Sequence, residues 1–127
     1  MTPVLLLIIA GVVEAGRAFT AYVQITNAAR EGARAGSFIP QDTATIDTLA
    51  RREVPTWVSD TIISVAVSCA PAAGGVFDDC ISTYPPSSGD KLKVEVFFAY
   101  EPVMPIINDI TTIMAITMSS AAVMRVQ

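Results

Sequence analysis

The chain has 127 residues, of which 52% are hydrophobic and 16% are charged, with no histidine and a net charge of −4. Its mean hydropathy of +0.53 is high for a small domain with an ordinary charged surface. Histidine is the commonest general base and a common metal ligand, and nucleic-acid-binding proteins are typically basic. We therefore expect no enzyme, no cofactor, no metal site and no nucleic-acid partner, but a protein that packs against a membrane or against other subunits.

The first predicted element is one long helix. Thr2 can cap the free amides and Pro3 suits the first helical position, and no helix breaker follows until Ser37–Pro40. The sequence predicts a helix over about residues 3–36, roughly 50 Å long, which exceeds a small domain, so part of it must project. The most apolar residues lie near its start: Val4, Leu5, Leu6, Leu7, Ile8 and Ile9.

This apolar run has two interpretations. A membrane span needs about 20 residues, and the run reaches that length only if it continues through Glu14 and Arg17. A signal peptide is the competing interpretation, but no Lys or Arg precedes the apolar residues. The missing basic leader instead suggests that Met1 itself follows a processing cut.

Glu14 and Arg17 are the only charged residues among the first 29. Their spacing of three places both side chains on one helix face, where they can neutralise each other. They are either a solvated pair just beyond the membrane or a pair buried among packed helices.

Small residues recur at every fourth position of the same helix, at Ala28, Gly32 and Gly36, and Gly11 and Gly16 are similar earlier. Such spacing lets helix backbones approach closely. The small face packs between subunits or lies under the protein's own sheet, and both can be true of one long helix, with its upper part packing internally and its lower part between subunits. The charged residues Arg30, Glu31 and Arg34 are interleaved with it.

After the long helix, the pattern predicts one short helix and then three strands. Asp42 is a credible cap for a helix over residues 42–57, whose end Pro55 limits. Period-two alternation follows on one face of each strand: Ile63, Val65, Val67 and Cys69, then Leu92, Val94, Val96, Phe98 and Tyr100, then Met114, Ile116, Met118, Met124 and Val126. We expect an α+β fold, a small antiparallel sheet covered on one face by the long helix.

Cys69 and Cys80 are the only two cysteines. Two thiols without histidine make a poor zinc site, and a disulfide between them would stabilise the fold by about 3 kcal/mol and indicate an oxidising compartment. Two unpaired buried thiols are the alternative. A hydroxyl-rich loop follows, and we consider Ser82, Thr83, Ser87 and Ser88 as candidate O-glycosylation sites.

Charge divides the chain into two parts. Residues 1–37 hold three bases and two acids, whereas residues 38–127 hold five bases and ten acids. We interpret 1–37 as an assembly helix and 38–127 as an acidic α+β head, which suits a membrane-rooted or assembling protein.

Four segments together resemble the TadE-like family of pilins and pseudopilins: Pro3–Leu7, Val13–Phe19, Asn27–Arg34 and Ser120–Val126. Of these, the run Asn27–Arg34 is the most specific, whereas residues 69–89 look individual to this chain. The resemblance implies processing by a prepilin peptidase, a role in a bacterial tight-adherence (Tad) system, and a type IV pilin-like architecture with the long helix in a filament core. Type IV pilins carry a glutamate at mature position five, where this chain has Leu5. Either residues precede Met1, or Met1 is the mature start and Glu14 and Arg17 take over that charge pairing.

We therefore expect a structural pilin that is anchored in the inner membrane and then polymerises with copies of itself into an extracellular adhesion filament, helped by the prepilin peptidase and the Tad assembly machinery. A low-copy minor pseudopilin or another membrane-anchored component of the apparatus is the alternative. The residues expected in the filament core are Met1, Val4, Leu5, Leu6, Leu7, Ile8, Ile9, Gly11, Glu14, Gly16, Arg17, Ala28, Arg30, Glu31, Gly32, Arg34 and Gly36.

Overall fold

A computed structural model describes residues 2–54, 63–80, 85–100 and 116–127 of the chain. Its elements in chain order are helices α1 (Thr2–Phe38) and α2 (Thr43–Arg52) and strands β1 (Ile63–Ala70), β2 (Asp78–Asp79), β3 (Lys91–Tyr100) and β4 (Ile116–Arg125). The fold is the predicted α+β arrangement, with helices first and an antiparallel sheet afterwards.

The long helix α1 matches its predicted bounds to within two residues at either end. Its last turn is closed by Ser37, whose hydroxyl donates to the Arg34 carbonyl oxygen at 2.7 Å. The chain leaves the helix before Pro40, since the residue preceding a proline is disfavoured in helical conformation.

Helix α2 begins where the sequence predicted but ends earlier. Asp42 caps it, because its carboxylate accepts hydrogen bonds from the Thr45 amide at 3.0 Å and the Thr45 hydroxyl at 2.6 Å. These two bonds hold the pKa of Asp42 below its ordinary value. The prediction that the helix continues to residue 57 is wrong: it ends at Arg52, and the backbone turns at Glu53. Residues 55–57 lie outside the described part of the chain.

The four strands form one antiparallel sheet in the order β2-β1-β3-β4. Strand β3 is central, with Val96 opposite Val65 on one side and Ser120 on the other. Its inner residues are all buried, as the alternation predicts: Leu92, Val94, Val96, Phe98 and Tyr100. Met114, assigned to the last strand, lies outside the described residues, and Met118 and Met124 are half-buried on the inner face.

Strand β2 was not predicted. It consists of Asp78 and Asp79 alone, which pair with Cys69 and Ser68 of β1. Two residues are too few to show a hydrophobic period, so the sequence carried no signal for it.

Helix α1 lies along the inner face of the sheet and runs antiparallel to β3. Glu14 meets Tyr100 at one end, and Gly36 meets Leu92 at the other. The 22 helical steps between Glu14 and Gly36 rise about 33 Å. The eight strand steps between Tyr100 and Leu92 span about 27 Å, so the helix and the strand run side by side over most of the length of β3. The core therefore begins at Glu14, well inside the helix, and α2 covers the other end.

Candidate assembly helix and its anchoring cluster

The N-terminal part of α1 extends beyond the head. Residues 2–9 and 11–13 are exposed, and only Ala10 is half-buried. The six residues Val4–Ile9 are 51–64% exposed, although all are large and apolar. An 18-residue window of this helix has a mean hydropathy of 1.9, so α1 is long and apolar enough to cross a membrane by length and composition. The described part of the chain leaves this apolar surface uncovered.

Glu14 marks the point at which α1 meets the head. Its side chain is 8% exposed. The Tyr100 hydroxyl donates to one Glu14 carboxylate oxygen and lies 3.3 Å from the Glu14 backbone carbonyl oxygen. The other carboxylate oxygen faces Arg17, whose Nη1 lies 3.5 Å away. We call Glu14, Arg17 and Tyr100 the anchoring cluster.

The cluster affects the protonation of Tyr100. Burial raises the pKa of Tyr100 to about 12, the hydrogen bond to Glu14 and the negative charge of that carboxylate add to the shift, and the Arg17 cation opposes it. The phenol therefore stays protonated, as a donor, at neutral pH. A carboxylate that accepts from a phenol and faces a guanidinium can be buried at a much lower cost than an isolated charge.

Glu14 and Arg17 contact each other within the chain, and strand β3 carries the tyrosine against which Glu14 is buried. The packing of this pair among the helices of other copies stays a prediction. Sequence reasoning placed Tyr100 in the apolar stripe of β3 and missed its role. Tyr100 is the one residue of that stripe that carries a hydroxyl group. Because a buried phenol needs a hydrogen-bond partner, its position could have indicated a polar contact at this end of the sheet.

Three small residues assigned to assembly, Ala28, Gly32 and Gly36, lie inside the head. A Cβ atom built on Gly32 would come within 3.0 Å of Val94, and one on Gly36 within 2.7 Å of Leu92. Ala28 is fully buried. These three residues thus lie under the protein's own sheet and α2 and present no surface to a neighbour. Gly11 and Gly16 differ, because nothing lies within 4 Å of a Cβ added to either one.

The charged residues in the C-terminal part of α1 lie on the side of the helix that faces away from the sheet. Arg34 donates to both carboxylate oxygens of Glu31 at 3.1 Å. This pairing lowers the pKa of Glu31 and raises that of Arg34. Arg30 is exposed. Before Arg30, the one partly exposed charge of the described helix is Arg17, whereas Arg30 and Arg34 are both exposed.

The head is closed at its other end by a disulfide and a buried acid. Cys69 and Cys80 form the predicted disulfide, and both are buried. Asp90 accepts hydrogen bonds from the amides of Ala72 at 3.0 Å and Ser87 at 2.7 Å, which ties the loop after β1 to the loop before β3. Ser87 and Ser88 are exposed. The other assigned positions, Met1, Ser82 and Thr83, lie outside the described residues.

The described residues contain no cluster of three or more His, Cys, Asp or Glu side chains placed to hold a metal ion. What α1 presents is an exposed apolar surface over residues 2–13 and a charge pair, Glu14 and Arg17, whose charges compensate each other.

Comparison with known proteins bears on the helix alone. Residues 1–34 match the family model described as TadE-like protein. The resemblance predicted from the residues of the helix is therefore confirmed, while the resemblance of Ser120–Val126 lies beyond the matched segment and stays a prediction. No curated protein and no solved structure matches the chain.

Proposed function

We propose that this chain, whose first 34 residues match the TadE-like family, is a structural pilin subunit. Many copies assemble through α1 into an extracellular filament of the tight-adherence type, which serves surface attachment. The family is associated with the tight-adherence pilus, and the proposal adds that this chain is the polymerising subunit.

The observation that carries the proposal is the exposed apolar helix of residues 2–13. Burying apolar surface is favourable by about 25 cal/mol per Å² in water. A lipid bilayer covers this surface before assembly, and the helices of neighbouring subunits cover it in a filament. The same helix thus serves as the inner-membrane anchor and then as the filament core.

The anchoring cluster supports the same function. A lone charge on a helix within a membrane or a helical core costs several kcal/mol. Here Glu14 is engaged by Arg17 and Tyr100 of its own subunit, so α1 carries a compensated pair into either environment. Assembly on this basis does not require Glu14 to find a charge on a neighbouring copy.

The head suits the outside of a filament. Its disulfide is compatible with an oxidising, extracytoplasmic compartment, and residues 38–127 are acidic. Processing, membrane insertion and assembly of such a pilin require partners. We extend the proposal to a prepilin peptidase, the inner membrane and the Tad assembly machinery.

Mechanical shearing of cells tests the proposal. Filaments are collected from the sheared supernatant, and the chain is quantified there and in inner-membrane fractions. We expect this chain to be the dominant protein of the filaments, and a strain lacking its gene to yield none. Recovery from the inner membrane alone, with filaments intact in the deletion strain, would instead identify a low-copy minor pseudopilin.

A further inference from the structure

The sheet of the head is open at both of its edges. Strand β4 pairs with β3 along one side through ten consecutive residue pairs, and no described strand pairs with its other side. At the opposite edge, β2 covers only Ser68 and Cys69 of β1, so the backbone of residues 63–67 has no strand partner on that side among the described residues. An open edge presents a row of unpaired N–H and C=O groups, which favours pairing with another strand.

Neither edge carries the features that commonly prevent such pairing. Natural proteins protect an open edge with charged side chains, prolines or bulges. Strand β4 holds no charged residue before Arg125, and residues 63–67 hold none. Neither segment contains a proline, and both pair with β3 residue by residue without a bulge. Both edges are therefore able to accept a further strand.

The hydrogen bonds of the sheet determine which residues point their backbone groups at the open edges. The Val126 amide donates to the Asp90 carbonyl oxygen at 2.8 Å, so Val126 points toward β3. Because backbone groups along an antiparallel strand point alternately to either side, every odd-numbered residue from 117 to 125 points its N–H and C=O away from β3. The alternation continues across β3, so Val65 and Val67 point theirs to the open edge of β1.

The side chains of these edge-directed residues lie on opposite faces of the sheet at the two edges. On β4 they lie on the outer face, away from α1, as the exposed Ala121 and Val123 do. On β1 they lie on the inner face, where Val65 and Val67 pack against the core. Hydrogen-bonded residues stand opposite one another in an antiparallel pair, whereas in a parallel pair each bonded residue stands opposite one that points away from it. An edge of β4 and an edge of β1 therefore join into one sheet with a common outer face only as parallel strands.

We propose that β4 of one copy pairs in parallel with residues 63–67 of β1 of a second copy, which extends the sheet from copy to copy. The inference rests on the proposed function, since it names a contact between heads in the filament. Lipid cannot occupy these edges, because hydrocarbon would leave their N–H and C=O groups without hydrogen bonds. A second copy supplies a strand edge whose backbone groups point in the matching directions.

The position of α1 agrees with this contact. The helix runs antiparallel to β3, so it is parallel to β1 and β4. Parallel pairing of β4 with β1 keeps the helices of all copies pointing in one direction and on one side of the joined sheet, as anchoring through residues 2–13 requires. Antiparallel pairing of two β4 strands would instead give a closed two-fold dimer with helices in opposite directions. The contact between β4 and β1 is heterologous and can continue along a filament.

Cysteine cross-linking in sheared filaments tests the contact. Ala66 of β1 is exposed on the outer face, and each register between copies places it beside a different residue of β4. A66C is therefore combined in turn with a cysteine at each exposed outer position of β4, in T117C, S119C, A121C and V123C. Within one copy β3 separates the two strands, so the thiols lie roughly 10 Å apart or more. A disulfide needs Cα atoms within about 7 Å, so any new bond joins two copies.

The oxidised filaments are run on a non-reducing gel, where the Cys69–Cys80 bond is internal and creates no ladder. We expect dimers, trimers and higher species from at least one of the four double variants, and none from any single variant. The control is T48C/A121C, because Thr48 is equally exposed but lies on α2 rather than on an edge of the sheet.

The outcomes separate this contact from the proposed function. Filaments without a ladder in all four double variants, or an equal ladder from T48C/A121C, would overturn the edge contact and leave the pilin function standing. Dimers from a β4 cysteine alone would identify the antiparallel β4 dimer and overturn it too. A wild-type chain that never enters filaments overturns both proposals.

A second variant removes a hydrogen-bond donor instead of adding a thiol. Ala121→Pro deletes an amide that points to the open edge and leaves the bonds between β3 and β4 in place, as proline on an edge strand can. We expect a folded head and a sheared fraction that falls about tenfold. Ala121→Val is the matched control, because it keeps the donor. A wild-type sheared fraction for Ala121→Pro overturns the contact, and so does an unfolded head, which would mean that this amide bonds to β3.

Discussion

Glu14 is a buried carboxylate on an otherwise apolar stretch of helix, and its neighbours determine whether the chain tolerates it. Tyr100 donates a hydrogen bond and Arg17 supplies a positive charge, so both carboxylate oxygens face a compensating group. Removing one partner of a buried polar pair is costly, because the remaining group keeps its desolvation penalty. Tyr100, which is buried on β3, should therefore matter more to stability than Tyr22, which is exposed on α1.

The first prediction concerns this hydrogen bond. Tyr100→Phe keeps the ring but removes the donor, so we expect the free energy of unfolding to fall by about 1–3 kcal/mol. Denaturant unfolding of the detergent-solubilised chain measures it. Tyr22→Phe is the control, since Tyr22 is 49% exposed and its change should stay within about 0.5 kcal/mol. Equal effects of the two substitutions would contradict the role assigned to Tyr100.

The second prediction concerns alkaline pH. The pKa of Tyr100 is about 12 in the folded chain, against about 10 in the unfolded chain. The unfolded state loses this proton first, so the contribution of Tyr100 is complete below pH 10 and disappears as the pH rises through 12. Between these values, wild-type stability should fall by about 1.4 kcal/mol per pH unit more than that of Tyr100→Phe. Parallel pH profiles of the two proteins would show that this phenol titrates normally.

At the scale of elements, the contact between α1 and the head depends on missing side chains. Gly32 lies against Val94 and Ala50, and Gly36 lies against Leu92 and Ile46. Leu92, Val94 and Ile46 are fully buried, so they have little room to move aside. Glycine usually weakens a helix interior, but here it allows the helix to approach the sheet and α2 closely.

The third prediction compares glycines on the same helix. Gly36→Ala gains up to about 1 kcal/mol of helix propensity, but it overpacks the core at a cost of about 1–3 kcal/mol, so we expect net destabilisation. Gly32→Ala should behave similarly, with a smaller loss, because its closest contact is longer. Gly11→Ala and Gly16→Ala are the controls and should be neutral or stabilising. Thermal unfolding ranks the four variants, and stabilisation by Gly36→Ala would contradict the close packing.

At the scale of the whole molecule, α1 has an exposed N-terminal part and a part that is packed against the sheet. Residues 2–13 extend from the head as an apolar helix, whereas the same helix from Glu14 onward supplies the inner layer of the head. Because the core begins at Glu14, substitutions in residues 2–13 should leave the packing between α1 and the sheet intact. Membrane association and folding should therefore respond to different substitutions.

The fourth prediction tests this separation. Leu6→Asp places a carboxylate in the centre of the projecting segment, at a cost of about 2.5–3.5 kcal/mol in a membrane. We expect the membrane-bound fraction to fall, while the unfolding midpoint of the head stays within a degree or two of wild type, because Leu6 is 61% exposed. Leu6→Ala is the control and should remain membrane-bound. A large loss of head stability in Leu6→Asp would mean that the segment packs on the head.

Much of this architecture could be predicted from local patterns. The apolar run, the Asp42 cap and the alternation of β3 each follow from side-chain chemistry within a few residues. The end of α2 and the strand β2 could not be predicted, because neither a helix end nor a two-residue strand shows a hydrophobic period. With only two cysteines, the sequence allowed either a Cys69–Cys80 disulfide or two unpaired thiols, and the structure shows the disulfide.

The sequence by itself determined that a long apolar helix precedes an acidic α+β head, because periodicity and composition are properties of neighbouring residues. Only the tertiary structure decided which small residues serve the head and which remain exposed. Ala28, Gly32 and Gly36 share a spacing with Gly16, yet they face the sheet while Gly16 faces open space. It likewise brought Tyr100 to Glu14, which are 86 residues apart in the chain. The excess apolar content is thereby divided between a core that the protein covers itself and a surface that requires a membrane or a neighbour.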